Sequence, residues 1–173
     1  MGMRIYRDSC LHIKEYKKPN SDSEETNEIK QIGYALDNTS KTRAIFEINK
    51  GSNKYPDIDV NAKIKYEDRR IPFENMIYIA DGPSDVPTFS LLKKYGGRTF
   101  AIYPKGDEEA FRQVDKLRRD GRIDMFGEAD YSEGTTTFMW LALHTDEIAS
   151  KIYNNKLNQI KQSYSKPPEH LTK

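Results

Sequence analysis

The chain has 173 residues, the size of one ordinary domain with a single hydrophobic core. Its 28 basic and 27 acidic side chains give a formal net charge of +1, so no global field attracts nucleic acid or an anionic membrane. It has one cysteine, Cys10, no apolar run long enough to span a bilayer and no signal-peptide pattern, so we expect a cytoplasmic protein with no intramolecular disulfide and no nucleic-acid or membrane partner.

Apolar periodicity and turn residues predict alternating strands and helices. In chain order we expect a hairpin at about 3–37, a helix over 41–48, an exposed loop over 51–59, a strand over 76–80, a helix over 87–95, a strand over 99–103, a helix over 108–119, a strand over 124–129, a helix over 135–164 and a disordered tail over 165–173. This alternation is typical of an α/β domain with a parallel sheet, here expected over residues 1–164.

Three details of these elements can be tested directly. Residues 76–80 are continuously apolar, which predicts a strand buried on both faces. Residues 38–40 offer capping side chains to the helix that follows them. In the helix over 108–119, Phe111, Val114 and Leu117 are expected to face the core.

Two carboxylates, Asp81 and Asp85, flank a Gly-Pro-Ser turn directly after the strand over 76–80. Ligands of parallel α/β sheets bind at the carboxyl ends of the strands, so both carboxylates are expected to face one crevice, accessible to solvent. Mg²⁺ is usually held by one or two carboxylates together with waters and phosphate. An ordinary turn with solvated aspartates is an equally open interpretation of these residue types.

Residues 77–87 resemble the fourth sequence signature of the haloacid-dehalogenase-like (HAD) superfamily, an apolar strand followed by Asp-Gly-x-x-Asp. Residues 39–42, Thr-Ser-Lys-Thr, resemble the third signature, a lysine at the start of a helix. The resemblance covers most of residues 30–145 and is to the phosphoserine-phosphatase-like branch. It implies a Rossmann-like parallel sheet with flanking helices, the HAD-like core, incomplete at its amino-terminal side.

The resemblance also implies a phosphatase site. Lys41 would be the catalytic lysine that neutralises the phosphate, Asp81 would bind Mg²⁺, and Asp85 would hold the metal shell or orient the lysine. The partner would be a small phosphorylated substrate.

The sequence departs from the family in one essential feature. Members begin with an apolar strand that ends in Asp-x-Asp and supplies the nucleophile, and no such strand precedes Lys41. The pair Asp57 and Asp59 has the right spacing but follows a polar, turn-rich segment. We therefore expect the carboxy-terminal portion of a HAD-like phosphohydrolase, from a truncated or split gene, that is inactive alone.

Two rival hypotheses remain open. One is a non-catalytic module that keeps the loop to bind metal, phosphate or a partner; the other is an intact α/β enzyme that uses Asp57 and Asp59 with Asp81 and Asp85. In the fragment hypothesis, the strand over 76–80 would have an open edge. Residues 4–16, a second copy of the chain or a complementing amino-terminal half would cover it.

The other candidate residues give weaker indications of a functional site. Cys10 and His12 predict a buried cysteine beside a surface histidine. His144 is expected to be structural. Residues 135–137 follow a glycine and predict a helix start, whose backbone N–H groups could also meet an anion.

Overall fold

A computed structural model describes residues 37–164, for residues 38 and 39 the backbone alone. The predicted hairpin, the tail, Cys10, His12 and residues 4–16 lie outside this range. The helices and strands are α1 (Asn38–Lys50), β1 (Ile77–Ala80), α2 (Val86–Lys94), β2 (Arg98–Tyr103), α3 (Glu108–Arg119), β3 (Met125–Glu128) and α4 (Thr136–Tyr164), with short 3-10 turns at Tyr66–Asp68, Phe73–Asn75 and Pro83–Asp85.

The three strands form one parallel sheet in the order β1-β2-β3. β1 pairs with β2 in parallel from Ile77 opposite Arg98 to Ala80 opposite Ala101. The connection between these parallel strands passes through α2, as a parallel pair requires. The predicted α/β class with a parallel sheet and flanking helices is confirmed. A HAD-specific core and an incomplete amino-terminal side stay predictions.

Two apolar clusters attach the helices to the sheet. The first joins Phe89 of α2 and Val114 of α3 to Ala101 of β2, and all three are fully buried. The second joins Ile45 of α1 and Leu92 of α2 to residues just before β1. α1 and α2 are therefore held beside each other, which brings their amino-terminal ends to the loop after β1.

Phe111 is not a core residue, contrary to the prediction for α3. Val114 and Leu117 are buried, but Phe111 is 42% exposed. Its ring lies 5.4 Å from that of Tyr103 and 5.6 Å from that of Phe126. Phe111 stands in the first turn of α3, where its ring covers the rim of the cluster rather than its centre.

β1 is less buried than predicted. All four of its residues are only partly buried, whereas Thr99, Phe100 and Ala101 of β2 are fully buried. Within residues 37–164 β1 pairs with β2 alone, so it lies at an edge of the described sheet. The apolar run correctly indicated a strand, but burial depends on neighbours on both sides.

Asp124 ties the start of β2 to the segment before β3. Its carboxylate accepts hydrogen bonds from the Thr99 backbone N–H and hydroxyl, both at 2.8 Å, and pairs with Lys93 Nζ at 2.8 Å. Partial burial alone would raise the pKa of Asp124, but the bonds from Lys93 and Thr99 outweigh it and hold that pKa below its ordinary value.

The chain divides into two compact units, one ending at Phe126 and the other starting at Gly127. In the second unit, Thr137 is buried at the start of α4, and its hydroxyl donates to the Glu128 carbonyl at 2.5 Å. No helix within residues 37–164 is long and apolar enough to cross a membrane. The prediction of one domain over residues 1–164 stays a prediction.

Candidate active site

The loop after β1 is short and leads directly into the next helix. Asp81 follows the last residue of the strand, and Pro83–Asp85 forms a 3-10 turn that runs directly into α2. The Asp85 N–H donates to the Gly82 carbonyl at 3.1 Å and closes the turn. The predicted position of both aspartates, between a strand and the next helix, is confirmed.

α1 starts earlier than the sequence predicted, and this determines where Lys41 lies. The helix begins at Asn38, so residues 38–40 form its first turn and do not precede it. The cap is Asp37, whose carboxylate accepts the Ser40 N–H at 2.7 Å while the Ser40 hydroxyl accepts the Asp37 N–H at 2.8 Å. This reciprocal pair resembles a capping box and fixes the end of the helix that carries Lys41.

Lys41 reaches the loop after β1, as expected. Its ammonium lies 3.0 Å from each carboxylate oxygen of Asp85 and 3.2 Å from the Ser84 hydroxyl. The Lys41 side chain is 11% exposed and that of Asp85 only 1%. The pair is therefore largely desolvated, and losing either partner would leave a buried charge without compensation.

Asp85 is not the solvent-accessible carboxylate that we expected. Besides Lys41, its oxygens receive hydrogen bonds from the Tyr78 hydroxyl and from the Ser84 hydroxyl, the latter at 3.2 Å. α1 lies over the loop and delivers a cation to this carboxylate, so water is displaced from it. The expectation of access is correct only for Asp81, which is exposed.

Few side chains of the loop after β1 are available as metal ligands. Asp81 is the accessible carboxylate of the loop, because the oxygens of Asp85 are occupied by Lys41, Tyr78 and Ser84. Within residues 37–164 no group of three or more His, Cys, Asp or Glu side chains is arranged to hold a metal ion. Asp81 can supply one oxygen ligand, and further ligands would have to come from water, substrate or residues outside this range.

Sequence reasoning missed the residues that support the pair. Tyr78 stands between two isoleucines in β1. A hydroxyl group within this aliphatic run was the one sequence feature that could have indicated its role. Thr42 and the fully buried Thr88 share a hydrogen bond of 3.2 Å between α1 and α2. That bond keeps the first turns of the two helices together, and nothing in their spacing along the chain indicated it.

The Asp-x-Asp pair at Asp57 and Asp59 lies in a turn-rich segment and not on a strand. Both residues are exposed, and the Asp59 carboxylate accepts the Asn61 N–H at 2.8 Å. The prediction that residues 51–56, directly before this pair, do not form a buried strand is confirmed. Its geometry is that of a solvated turn.

The two candidates in the second unit contact residues of α4. Thr135 caps α4, because its hydroxyl accepts the Phe138 N–H at 3.2 Å. His144 lies 2.8 Å from the Glu147 carboxylate, and its ring centre is 4.1 Å from that of Trp140. The predicted helix start at residues 135–137 and the structural interpretation of His144 agree with these contacts.

The comparisons with known proteins leave the family open. No family model matches the sequence. No solved structure matches it either. The chain is similar to a protein of Borreliella burgdorferi described as uncharacterized, with 38% identity over 141 residues, which cover 77% of this chain and 47% of that relative. The chain thus spans about half the length of the curated relative that it matches.

Proposed function

We propose that this chain carries the lysine and acidic-loop part of a HAD-like phosphohydrolase site. The observation that supports the proposal is the desolvated pair of Lys41 and Asp85 at the carboxyl end of β1, beside the exposed Asp81. This is the place where ligands of parallel α/β sheets bind. Burying a charge pair costs desolvation free energy, whereas aspartates in a solvated turn stay hydrated.

Lys41 would bind a phosphoryl oxygen of the substrate. An ammonium group has three N–H bonds. Within residues 37–164, Lys41 donates one hydrogen bond to Asp85 and one to Ser84, so its third N–H is available for a ligand. Phosphoryl transfer depends mainly on positioning and on neutralising charge on the phosphoryl oxygens, so an oriented cation is the contribution that this half of the site would make.

Asp85 would orient Lys41, and Asp81 would be the ligand for Mg²⁺. The exposure of Asp81 and the hydrogen bonds to both oxygens of the buried Asp85 support this division of roles. A bound Mg²⁺ would neutralise charge on the transferred phosphoryl group. One protein carboxylate with phosphate and waters is within the range that Mg²⁺ uses, so the described residues fit part of its coordination shell.

The nucleophile would come from a segment other than residues 37–164. An Asp-x-Asp strand from an amino-terminal half, in the same or another chain, would complete the site for a small phosphorylated substrate. The edge position of β1 supports this proposal, because a strand added there would end beside Asp81. A homo-oligomer that covers β1 is the other partner arrangement we propose.

Binding of inorganic phosphate to the full chain with and without Mg²⁺, measured by calorimetry, tests the proposal. We expect binding that Mg²⁺ strengthens, loss of the Mg²⁺ effect in Asp81→Asn, and a loss of about tenfold or more in phosphate affinity in Lys41→Met/Asp85→Leu. The double variant removes both charges, so it leaves no unpaired buried carboxylate. Lys105→Met, which removes an exposed lysine after β2, is the control. Equal phosphate affinity in all four proteins would refute the proposed site.

A non-catalytic phosphate-binding or partner-binding module is the second candidate. The observation in its favour is that the described residues present a lysine and a loop carboxylate, while the Asp57 and Asp59 pair lies in an exposed turn. Hydrolysis of a generic phosphoester separates the candidates: we expect none from the chain alone. Activity appearing on addition of an amino-terminal half would support the phosphohydrolase. Activity of the chain alone that Asp57→Ala abolishes would instead support an intact enzyme of another kind.

A further inference from the structure

Tyr78 combines a ring packed among apolar side chains with a hydroxyl group that reaches the buried Asp85 carboxylate. Its ring packs edge-on against Phe89, with the ring centres 5.3 Å apart, and contacts both apolar clusters between the sheet and the helices. From this anchored position the hydroxyl donates to one oxygen of Asp85. The aromatic body is fixed by packing, so the hydroxyl is held in one place.

Both carboxylate oxygens of Asp85 have hydrogen-bond donors. One oxygen accepts from Tyr78, and the other accepts from Ser84 and Lys41. The Lys41 ammonium also lies 3.0 Å from the Tyr78-bonded oxygen as an ion pair. Three donors from three different elements, α1, β1 and the loop, fix the plane of the carboxylate.

We infer that Tyr78 is a positioning residue that acts on Lys41 through Asp85; the inference rests on the proposed phosphate-binding role of Lys41. By occupying one position on the carboxylate, Tyr78 determines where the ammonium of Lys41 settles between the two oxygens. The remaining Lys41 donor then has a fixed direction. Without the hydroxyl, that oxygen would lack a donor, and the ammonium would shift toward it.

The variant Tyr78→Phe tests this role because it keeps the ring that packs on Phe89. Asn49→Leu is the matched control: it removes the bond from the buried Asn49 amide to the Ile71 carbonyl, at the other end of the helix that carries Lys41. Both variants lose one buried hydrogen bond and should be destabilised to a similar extent. A change that appears only in Tyr78→Phe therefore reports positioning and not stability.

Two measurements on the full chain keep the inference separate from the proposed function. In ¹⁵N-edited NMR spectra, we expect the ammonium signal of Lys41 to be sharp in the unmodified protein and in Asn49→Leu, and broadened in Tyr78→Phe. In phosphate titrations with Mg²⁺, we expect about a tenfold weaker affinity in Tyr78→Phe and less than a twofold change in Asn49→Leu. Identical ammonium signals in all three proteins would overturn the role of Tyr78, as would equal affinity losses in the two variants. A protein that does not bind phosphate but loses the Lys41 signal in Tyr78→Phe would overturn the proposed function and leave the positioning role intact.

Discussion

Lys41 and Asp85 are separated by 44 positions in the chain, yet the ammonium of one lies 3.0 Å from the carboxylate of the other. The two residues stand at the beginnings of neighbouring helices, α1 and α2, where both meet the end of β1. Only 1% of the Asp85 side chain is exposed, so the stability of this part of the fold depends on the pairing of its charge with that of Lys41.

Removing Lys41 alone should destabilise the protein strongly. In Lys41→Met the Asp85 carboxylate stays buried without its cation, and we expect the free energy of unfolding to fall by about 3–5 kcal/mol. Lys41→Met/Asp85→Leu should recover most of this loss. Arg43→Met is the control, because the Arg43 side chain is 68% exposed and its pair with Glu47 is worth about 0.5 kcal/mol. Urea unfolding measures all three, and equal losses in Lys41→Met and Arg43→Met would contradict the structure.

Acid should weaken the connection between β2 and the segment before β3. The folded pKa of Asp124 is lowered by Lys93 and Thr99, so the unfolded chain binds the proton more readily. The stabilisation from Asp124 is therefore fully present above its unfolded pKa and is lost as the pH falls through its folded pKa. Unfolding free energies measured from pH 6 to pH 2 should decline less steeply in Asp124→Asn. Parallel curves for the two proteins would show that the bonds to Thr99 and Lys93 contribute nothing.

Gly97 should not tolerate a side chain. A Cβ atom at this position would lie 2.8 Å from the Phe73 carbonyl oxygen and 3.0 Å from the Leu92 side chain. Because Phe73 O is a backbone atom that cannot rotate away, we expect Gly97→Ala to lower the unfolding free energy by about 1–3 kcal/mol. Gly82→Ala is the control, since its backbone is extended and no atom lies within 4 Å of a Cβ built there. Thermal unfolding of the two variants checks the difference, and a stable Gly97→Ala would refute the close approach.

The edge of β1 should be covered in solution. Its four residues are apolar and only partly buried, and an open strand edge of this kind promotes association. We expect residues 4–16, a second copy of the chain or a protein that supplies an amino-terminal half to cover this edge. The amides in residues 77–80 that point away from β2 should then be protected. Light scattering combined with hydrogen exchange measures both. A stable monomer in which those amides exchange freely would contradict the prediction.

The order and type of the elements in residues 37–164 could be predicted from the sequence. Continuous apolar runs marked β1 and β2, and glycines and prolines marked the ends of the helices, because these signals act over a few residues. Lys41 and the aspartates of the loop could also be selected, since their residue types stand directly at helix and strand ends. The predicted start of α1 was three residues too late. The helix is capped by a hydrogen bond from the Ser40 N–H to the Asp37 carboxylate, and several neighbouring side chains could have formed such a bond equally well.

Only the tertiary structure distinguished the two aspartates of the loop. Asp81 and Asp85 follow the same strand four positions apart, and no local pattern indicates that one is exposed while the other is 1% exposed and bonded to Lys41 and Tyr78. That difference arises because α1 packs against α2 through residues distant in the chain. The burial of Asp85 therefore depends on how the helices pack and not on the loop itself. The same packing leaves Asp81 open to solvent and makes Asp85 the partner of Lys41.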